Sequence, residues 1–248
     1  VRLVPLYKMT LAYDGTAYQG WQVQPERDTI QQRVQAALTR MAKSSVDVVA
    51  AGRTDSGVHA FGQVAHFQLV REILPEGILR GLNTMLPEDI RVRTVAEAKP
   101  EFHARYSARS KTYRYRLECA PVPLPFTSRF TLHYPYELDR EALTRGACAF
   151  AGEHAFDAFR ASSCNAKTTT RTVLASRWLD DGSELIYEVT ATGFLQHMIR
   201  NMVGTLLEIG RGKRAVESIP HLLERGDRTE AGPTAAAKGL TLIEVHYA

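Results

Sequence analysis

The sequence predicts an α+β protein made of two ferredoxin-like or RRM-like β-α-β-β-α-β halves with largely antiparallel sheets, packed side by side around a central cleft. Three observations carry this. Short segments alternate apolar and polar residues between turn signals, others repeat apolar residues at helical spacing, and the order of the two kinds recurs along the chain. With 248 residues, 44% hydrophobic and 23% charged, the chain has globular composition and length for one large domain or two packed halves. The expected division is residues 1–104 and 105–248.

In the first half, Leu6 to Tyr13 alternates as a strand and ends in the turn dipeptide Asp14-Gly15. A helix is expected from Thr29, with Asp28 as its N-cap, Gln31 completing a capping box, and Ile30, Val34, Leu38 and Met41 on one face. Val46 to Ala51 and Gly62 to Val70 read as strands, Pro75 to Met85 as a helix, and Ile90 to Ala96 as a strand.

The second half repeats the plan with longer connections. Lys111 to Cys119 is a strand, Ala120 to Pro125 a proline-rich loop, and Asp139 caps a helix striped by Leu143, Ala147 and Phe150. Leu138 and Leu143 are placed to form a hydrophobic staple at its entry. Arg171 to Leu179 and Glu184 to Ala191 form a hairpin across Asp180-Asp181-Gly182. A helix from about Gln196 to Ile209 and a strand from Leu240 to Tyr247 complete the unit, with 161–170 and 225–238 as exposed loops.

The stretch that could carry chemistry is Ala51-Gly52-Arg53-Thr54-Asp55-Ser56-Gly57-Val58-His59-Ala60, between two strands. Two readings of it stand on the residues alone. One is a polar hairpin whose Asp and Ser bond their own backbone; in the other, Gly52 and Gly57 supply turn geometry that presents Arg53 and Asp55 at the rim of the sheet. Arg200 falls at the edge of the buried face set by Leu195, Ile199, Met202 and Leu206, either snorkelling to solvent or partnering a carboxylate. Tyr113, in Lys111-Thr112-Tyr113-Arg114-Tyr115, is a core strand tyrosine or a base-stacking one; Arg105, Tyr106 and Arg109 upstream add basic and aromatic residues.

These segments resemble motifs of the TruA family of tRNA pseudouridine synthases. The resemblance rests on the Asp55 string, on Tyr13-Asp14-Gly15-Thr16 followed by Gly20-Trp21-Gln22, and on Lys111 to Tyr115. It also rests on Gly193 to Gly204 and on Gly232 to Leu242, so it spans nearly the whole chain. It implies that Asp55 is catalytic, that Arg200 pairs with it, that Tyr113 stacks on the target uracil, and that Leu240 walls the pocket. Arg53 would fill the space vacated by a flipped base or hold its flanking phosphates. Gln196 departs from the basic residue expected there, which leaves one phosphate contact unaccounted for. The activity implied is conversion of uridine to pseudouridine in the anticodon arm of tRNA, at positions 38 to 40, by a homodimer without cofactor.

Composition agrees with this and excludes other classes. The formal net charge of +4 and pI near 9.0 favour a polyanionic partner, and only seven of the 31 basic residues are lysines, so the forked guanidinium predominates. Cys119, Cys148 and Cys164 have no Cys-x-x-Cys spacing and leave one over, which points to reduced thiols in the cytoplasm. Val1-Arg2-Leu3-Val4-Pro5 is too short in apolar length for a signal peptide, and no run approaches a membrane span. No phosphate-cradling glycine string, zinc-deaminase signature or His-Glu-x-x-His occurs, so neither a nucleotide cofactor nor a metal site is expected. A non-catalytic tandem RRM-like RNA binder would want RNP-like aromatic strings, which are absent, and a phosphotransferase would want an acidic partner near Asp55 for a metal.

Overall fold

In the computed structural model, which describes residues 4–182 and 184–248, β1 (Leu6–Tyr13) shows the alternation its sequence demands. Tyr7, Met9, Leu11 and Tyr13 are buried, and Lys8, Thr10 and Ala12 lie on the less covered face. Val1, Arg2 and Leu3 of the stretch weighed as a signal peptide lie outside the described residues. The chain divides into two compact units, one running to Arg109 and taking in Leu242–Ala248, the other Ser110–Thr241.

The first unit follows the expected order: β1, α1 (Ile30–Ala42), β2 (Val48–Ala50), β3 (His59–Gln68), α2 (Pro75–Met85) and β4 (Ile90–Glu97). β1 pairs antiparallel with β3 and with β4, and β2 pairs antiparallel with β3. From Leu242 onward the last strand, β10 (Leu240–His246), runs beside β3. Gly62 admits it: a Cβ there would stand 2.3 Å from the Ile243 carbonyl oxygen. The Arg109 N–H donates to His246 O at 2.8 Å and the Tyr247 hydroxyl to Ala104 O at 2.7 Å, tying the C-terminal segment to this unit. The N-cap of α1 is Thr29, not Asp28. Thr29 has the extended backbone a cap requires and its Oγ1 accepts the Gln32 N–H, while Asp28 is occupied by a forked pair with Arg33 at 2.8 and 2.6 Å. Gln31 serves Val23 N and Val48 O instead of a capping box.

The second unit carries the same plan with additions. Its strands β5 (Ser110–Glu118), β8 (Thr170–Asp181) and β9 (Glu184–Ala191), with the edge strand β7 (Gly152–Ala155), lie in the order β5-β9-β8-β7, and the pairs β5 with β9, β9 with β8, and β8 with β7 are antiparallel. The two-residue β6 (Leu132–His133) is parallel to β5. Helices α3 (Arg140–Cys148) and α4 (Met198–Gly210) pack together where Gly146 leaves room, since a Cβ there would lie 2.8 Å from Leu206 Cδ2. Asp139 caps α3 by accepting the Ala142 N–H at 2.9 Å, as expected, and Leu138 and Leu143 both close on Gly210. In the hairpin, Asp180 and Asp181 extend β8, paired with Leu185 and Glu184, while Gly182 takes the left-handed backbone with φ +66°.

Two expectations change in this unit. α4 is buried nearly all round, from Met198 to Gly210, where a one-faced stripe was expected. The cause is the segment 231–235, expected to be an exposed loop, which lies against it with Gly232 and Ala235 buried. A helix α5 (Ser218–Arg225), left unassigned by the sequence, buries Ile219, Leu222 and Leu223 and ends at Gly226 in the left-handed region.

Candidate active site

The Asp55 loop joins β2 to β3 and is held by the segment 13–22. The Val58 N–H bonds Asp55 O at 3.1 Å, closing a tight turn in which Gly57 has φ +76°. Of the two loop glycines, only Gly57 uses left-handed backbone. Gly20 has φ +83°, and a Cβ on it would stand 2.6 Å from Thr54 O; a Cβ on Gly15 would fall 2.0 Å from Val58 O. Trp21 N–H donates to Thr54 O at 3.1 Å, and Ser56 Oγ and Gly57 N both donate to Tyr18 O. Beneath the loop, Thr54 Oγ1 lies 2.9 Å from the Tyr13 hydroxyl, and Gln63 Nε2 donates to Gly52 O at 2.8 Å. Burial pushes the Tyr13 phenol up to about 12, against hydrogen bonds from Thr54 and Gln63, so it stays a neutral strut. His59 is buried, and its Nδ1 accepts the Gly15 N–H at 3.0 Å. The result is a turn fixed on three sides, with Thr54 inward, Asp55 half-buried at its crest and Arg53 exposed.

The remaining sequence-predicted residues, Tyr113, Arg200 and Leu240, lie in the second unit. Tyr113 is 6% exposed on β5 and packs edge-on to Phe194 at 5.1 Å. Arg200, in the first turn of α4, donates from Nε to Ala235 O at 2.7 Å, and the Ala235 N–H returns a bond to Arg200 O at 3.1 Å. A guanidinium pinned through Nε is not a stem extended into solvent. The Tyr115 hydroxyl donates to the next carbonyl, Ala236 O, at 2.7 Å, and burial raises its phenol while the Arg200 charge opposes the rise. Leu240 is buried just after Gly239, whose missing Cβ would meet the Tyr115 ring at 2.7 Å.

Sequence reading missed the groups that hold this arrangement. Buried Asn201 donates to Phe159 O at 2.7 Å, and its Oδ1 accepts from Arg228 at 3.1 Å and from Thr234 at 2.6 Å. The Thr205 hydroxyl accepts the Gly232 N–H at 3.0 Å. A Cβ on Gly204 would stand 1.6 Å from Pro233 O, so the segment can seat only on glycine. A polar Asn flanked by the apolar residues Met198, Ile199, Met202 and Val203 of the helix was the available signal. Among the described residues no group of three or more His, Cys, Asp or Glu side chains is placed to hold a metal ion, and no helix is long and apolar enough to cross a membrane.

The first unit thus holds a fixed carboxylate turn, the second a pinned arginine and buried tyrosines, and comparison with known proteins gives the class of the chain. The chain belongs to the tRNA pseudouridine synthase family, whose model matches residues 9–107 and 147–248. It is 44% identical over 240 residues to the tRNA pseudouridine synthase A of Pelobacter propionicus, covering 97% of this chain and 98% of that protein. The proteins of the same name from Geotalea uraniireducens and a Geobacillus species are 43% and 41% identical over 97% of this chain, covering 98% and 97% of their own lengths. The family consists of isomerases acting on tRNA, and the chain is an enzyme of that class.

Proposed function

We propose that the chain isomerises uridine to pseudouridine in the anticodon arm of tRNA, at positions 38 to 40, with Asp55 as the catalytic carboxylate. The observation that supports this most directly is the Asp55 turn, held by backbone contacts from Gly15, Gly20 and Trp21 so that a half-buried carboxylate is presented without freedom to collapse. In the reaction the C1′–N1 bond of the nucleotide breaks, the uracil turns, C5 bonds to C1′, and the C5 proton is released to solvent while N1 takes up a proton from it, so the product is an isomer of the substrate. Asp55 supports it by attacking the ribose C1′ or the uracil C6 and leaving again when the new bond is complete. The target base must leave its stack first. Arg53, exposed on the same turn, would take the vacated space or hold the flanking phosphates.

Tyr113 would stack on the flipped uracil, Leu240 would wall its pocket, and the Arg200 fork, oriented by Ala235 O, would hold the Asp55 carboxylate. The reading includes a homodimer, as the motif resemblance implies, no metal or cofactor, and a cytoplasmic location supported by three unpaired cysteines. The experiment is tritium release from tRNA carrying uridine labelled at C5, with the product mapped by position. Release at 38 to 40 is expected. Tight tRNA binding without release would leave a non-catalytic RNA binder and sink the proposal.

A further inference from the structure

The first unit carries a second aromatic feature that the reaction does not use. Tyr106 is 78% exposed, yet its ring is held: one face stacks on His103 with centroids 4.2 Å apart and planes 25° apart. His103 in turn is fixed, because its Nδ1 accepts the N–H groups of Arg105 at 3.2 Å and Tyr106 at 3.1 Å. Behind it the His66 ring lies 4.7 Å away and takes the Ala104 N–H on its own Nδ1 at 3.0 Å. Two imidazoles thus satisfy three successive backbone donors, and a tight turn is locked with one aromatic face backed and the other open to solvent. The charge beside it is positive. The Arg105 guanidinium sits 5.9 Å from the Tyr106 ring centroid, and Lys8 lies over the neighbouring Tyr247 ring at 4.3 Å.

An exposed, pre-ordered aromatic face next to a guanidinium fits a nucleobase with its phosphate, since every base offers a π-face and the arginine meets the charge between bases. We propose that the open face of Tyr106 is a stacking platform for an unpaired base of the RNA substrate, separate from the uracil that reacts, with Arg105 on the adjoining phosphate. This rests on the proposed function, in which the substrate is a tRNA. The platform adds affinity and register, so Tyr106 is a positioning residue. A hydrophobic contact with a second copy of the chain would not call for the flanking arginine.

The test compares Tyr106→Phe, Tyr106→Leu and Tyr106→Ala by filter binding of unmodified tRNA at fixed salt, with single-turnover rates at saturating enzyme. Stacking on the ring predicts a dissociation constant raised about 5-fold to 150-fold for Leu and Ala, little change for Phe, and a loss that falls on affinity more than on the bound-state rate. Photo-crosslinking with tRNA containing 4-thiouridine should label the peptide carrying Tyr106 in the wild type. An unchanged constant for both Leu and Ala overturns the proposal, as does a Phe variant as weak as Ala. Altered mass in light scattering with unchanged tRNA affinity assigns the face to another copy and equally overturns it. Because affinity is the readout, failure of the wild type to release tritium would sink the proposed reaction while leaving these arms decisive.

Discussion

The two units hold their functional residues by different means. In the first, the Asp55 turn is set by backbone against backbone: Gly15 and Gly20 bring the chain so close to Val58 O and Thr54 O that not even a methyl fits. In the second, Arg200 is set through Ala235 O on the 231–235 segment, which also meets Gly204 closely but is seated by a polar side-chain network: Asn201 Oδ1 accepts from Arg228 and Thr234, and Thr205 accepts the Gly232 N–H. Backbone contact gives a rigid crest with no tolerance for substitution. A polar network is graded, because removing one bond leaves the others in place. A carboxylate proposed to react is suited by the first kind of support, and a cation proposed to orient it by the second.

The largest expected effect is at the crest. Asp55→Asn keeps the shape of the turn but removes the proposed catalytic carboxylate, so turnover should fall about 10⁴-fold or more with tRNA affinity and folding nearly kept. Readily measurable pseudouridine formation by the purified variant in single turnover would reduce the loop to a structural turn.

Next comes the backbone support. Gly20→Ala forces a side chain into left-handed backbone 2.6 Å from Thr54 O, and about 3 kcal/mol of stability should be lost in urea unfolding, with activity falling alongside. If this variant is as stable as wild type, the contrast between a rigid and a graded support breaks down.

Arg200→Lys tests the graded side. Lysine has neither the planar fork nor an Nε to bond Ala235 O, so turnover should fall about 10²-fold while tRNA affinity changes little. A rate equal to wild type at saturating enzyme would mean that Arg200 does not orient the reacting groups.

The smallest effect is on acid stability of the second unit, where the Glu118 carboxylate is 2% exposed. The Leu124 N–H, then the Thr127 and Thr131 hydroxyls and the His133 charge, hold its carboxyl below the ordinary 4.5, with burial opposing. A depressed folded value means the unfolded chain takes the proton first. The stabilisation is therefore complete above about 4.5 and lost as pH falls through the folded value. Urea midpoints from pH 7 to 3 should show a steeper acid decline in wild type than in Glu118→Gln, and equal slopes would assign the decline to other carboxylates.

Sequence alone determined a good deal. Periodicity gave Leu6–Tyr13 and Pro75–Met85 at their observed bounds, because each buries one face against a single layer, and that condition is written in local spacing. Asp139 was legible as a cap because its own side chain makes the bond three residues on. The Asp55 string was legible as a turn, and the motifs placed the chain in its family. Edge strand β7 had no pattern to read, since only its pairing with β8 makes it a strand.

Only the tertiary structure decided the rest, for a physical reason common to each case. Thr29 displaces Asp28 as the α1 cap because Arg33 claims the carboxylate, and α4 is covered on its second side because a segment some thirty residues later lies across Gly204. Gly15, Gly20 and Gly204 look in sequence like ordinary turn or helix glycines. What makes them necessary is the approach of a distant carbonyl to the place a Cβ would occupy, a contact set by chain segments far apart in sequence and therefore absent from any local pattern.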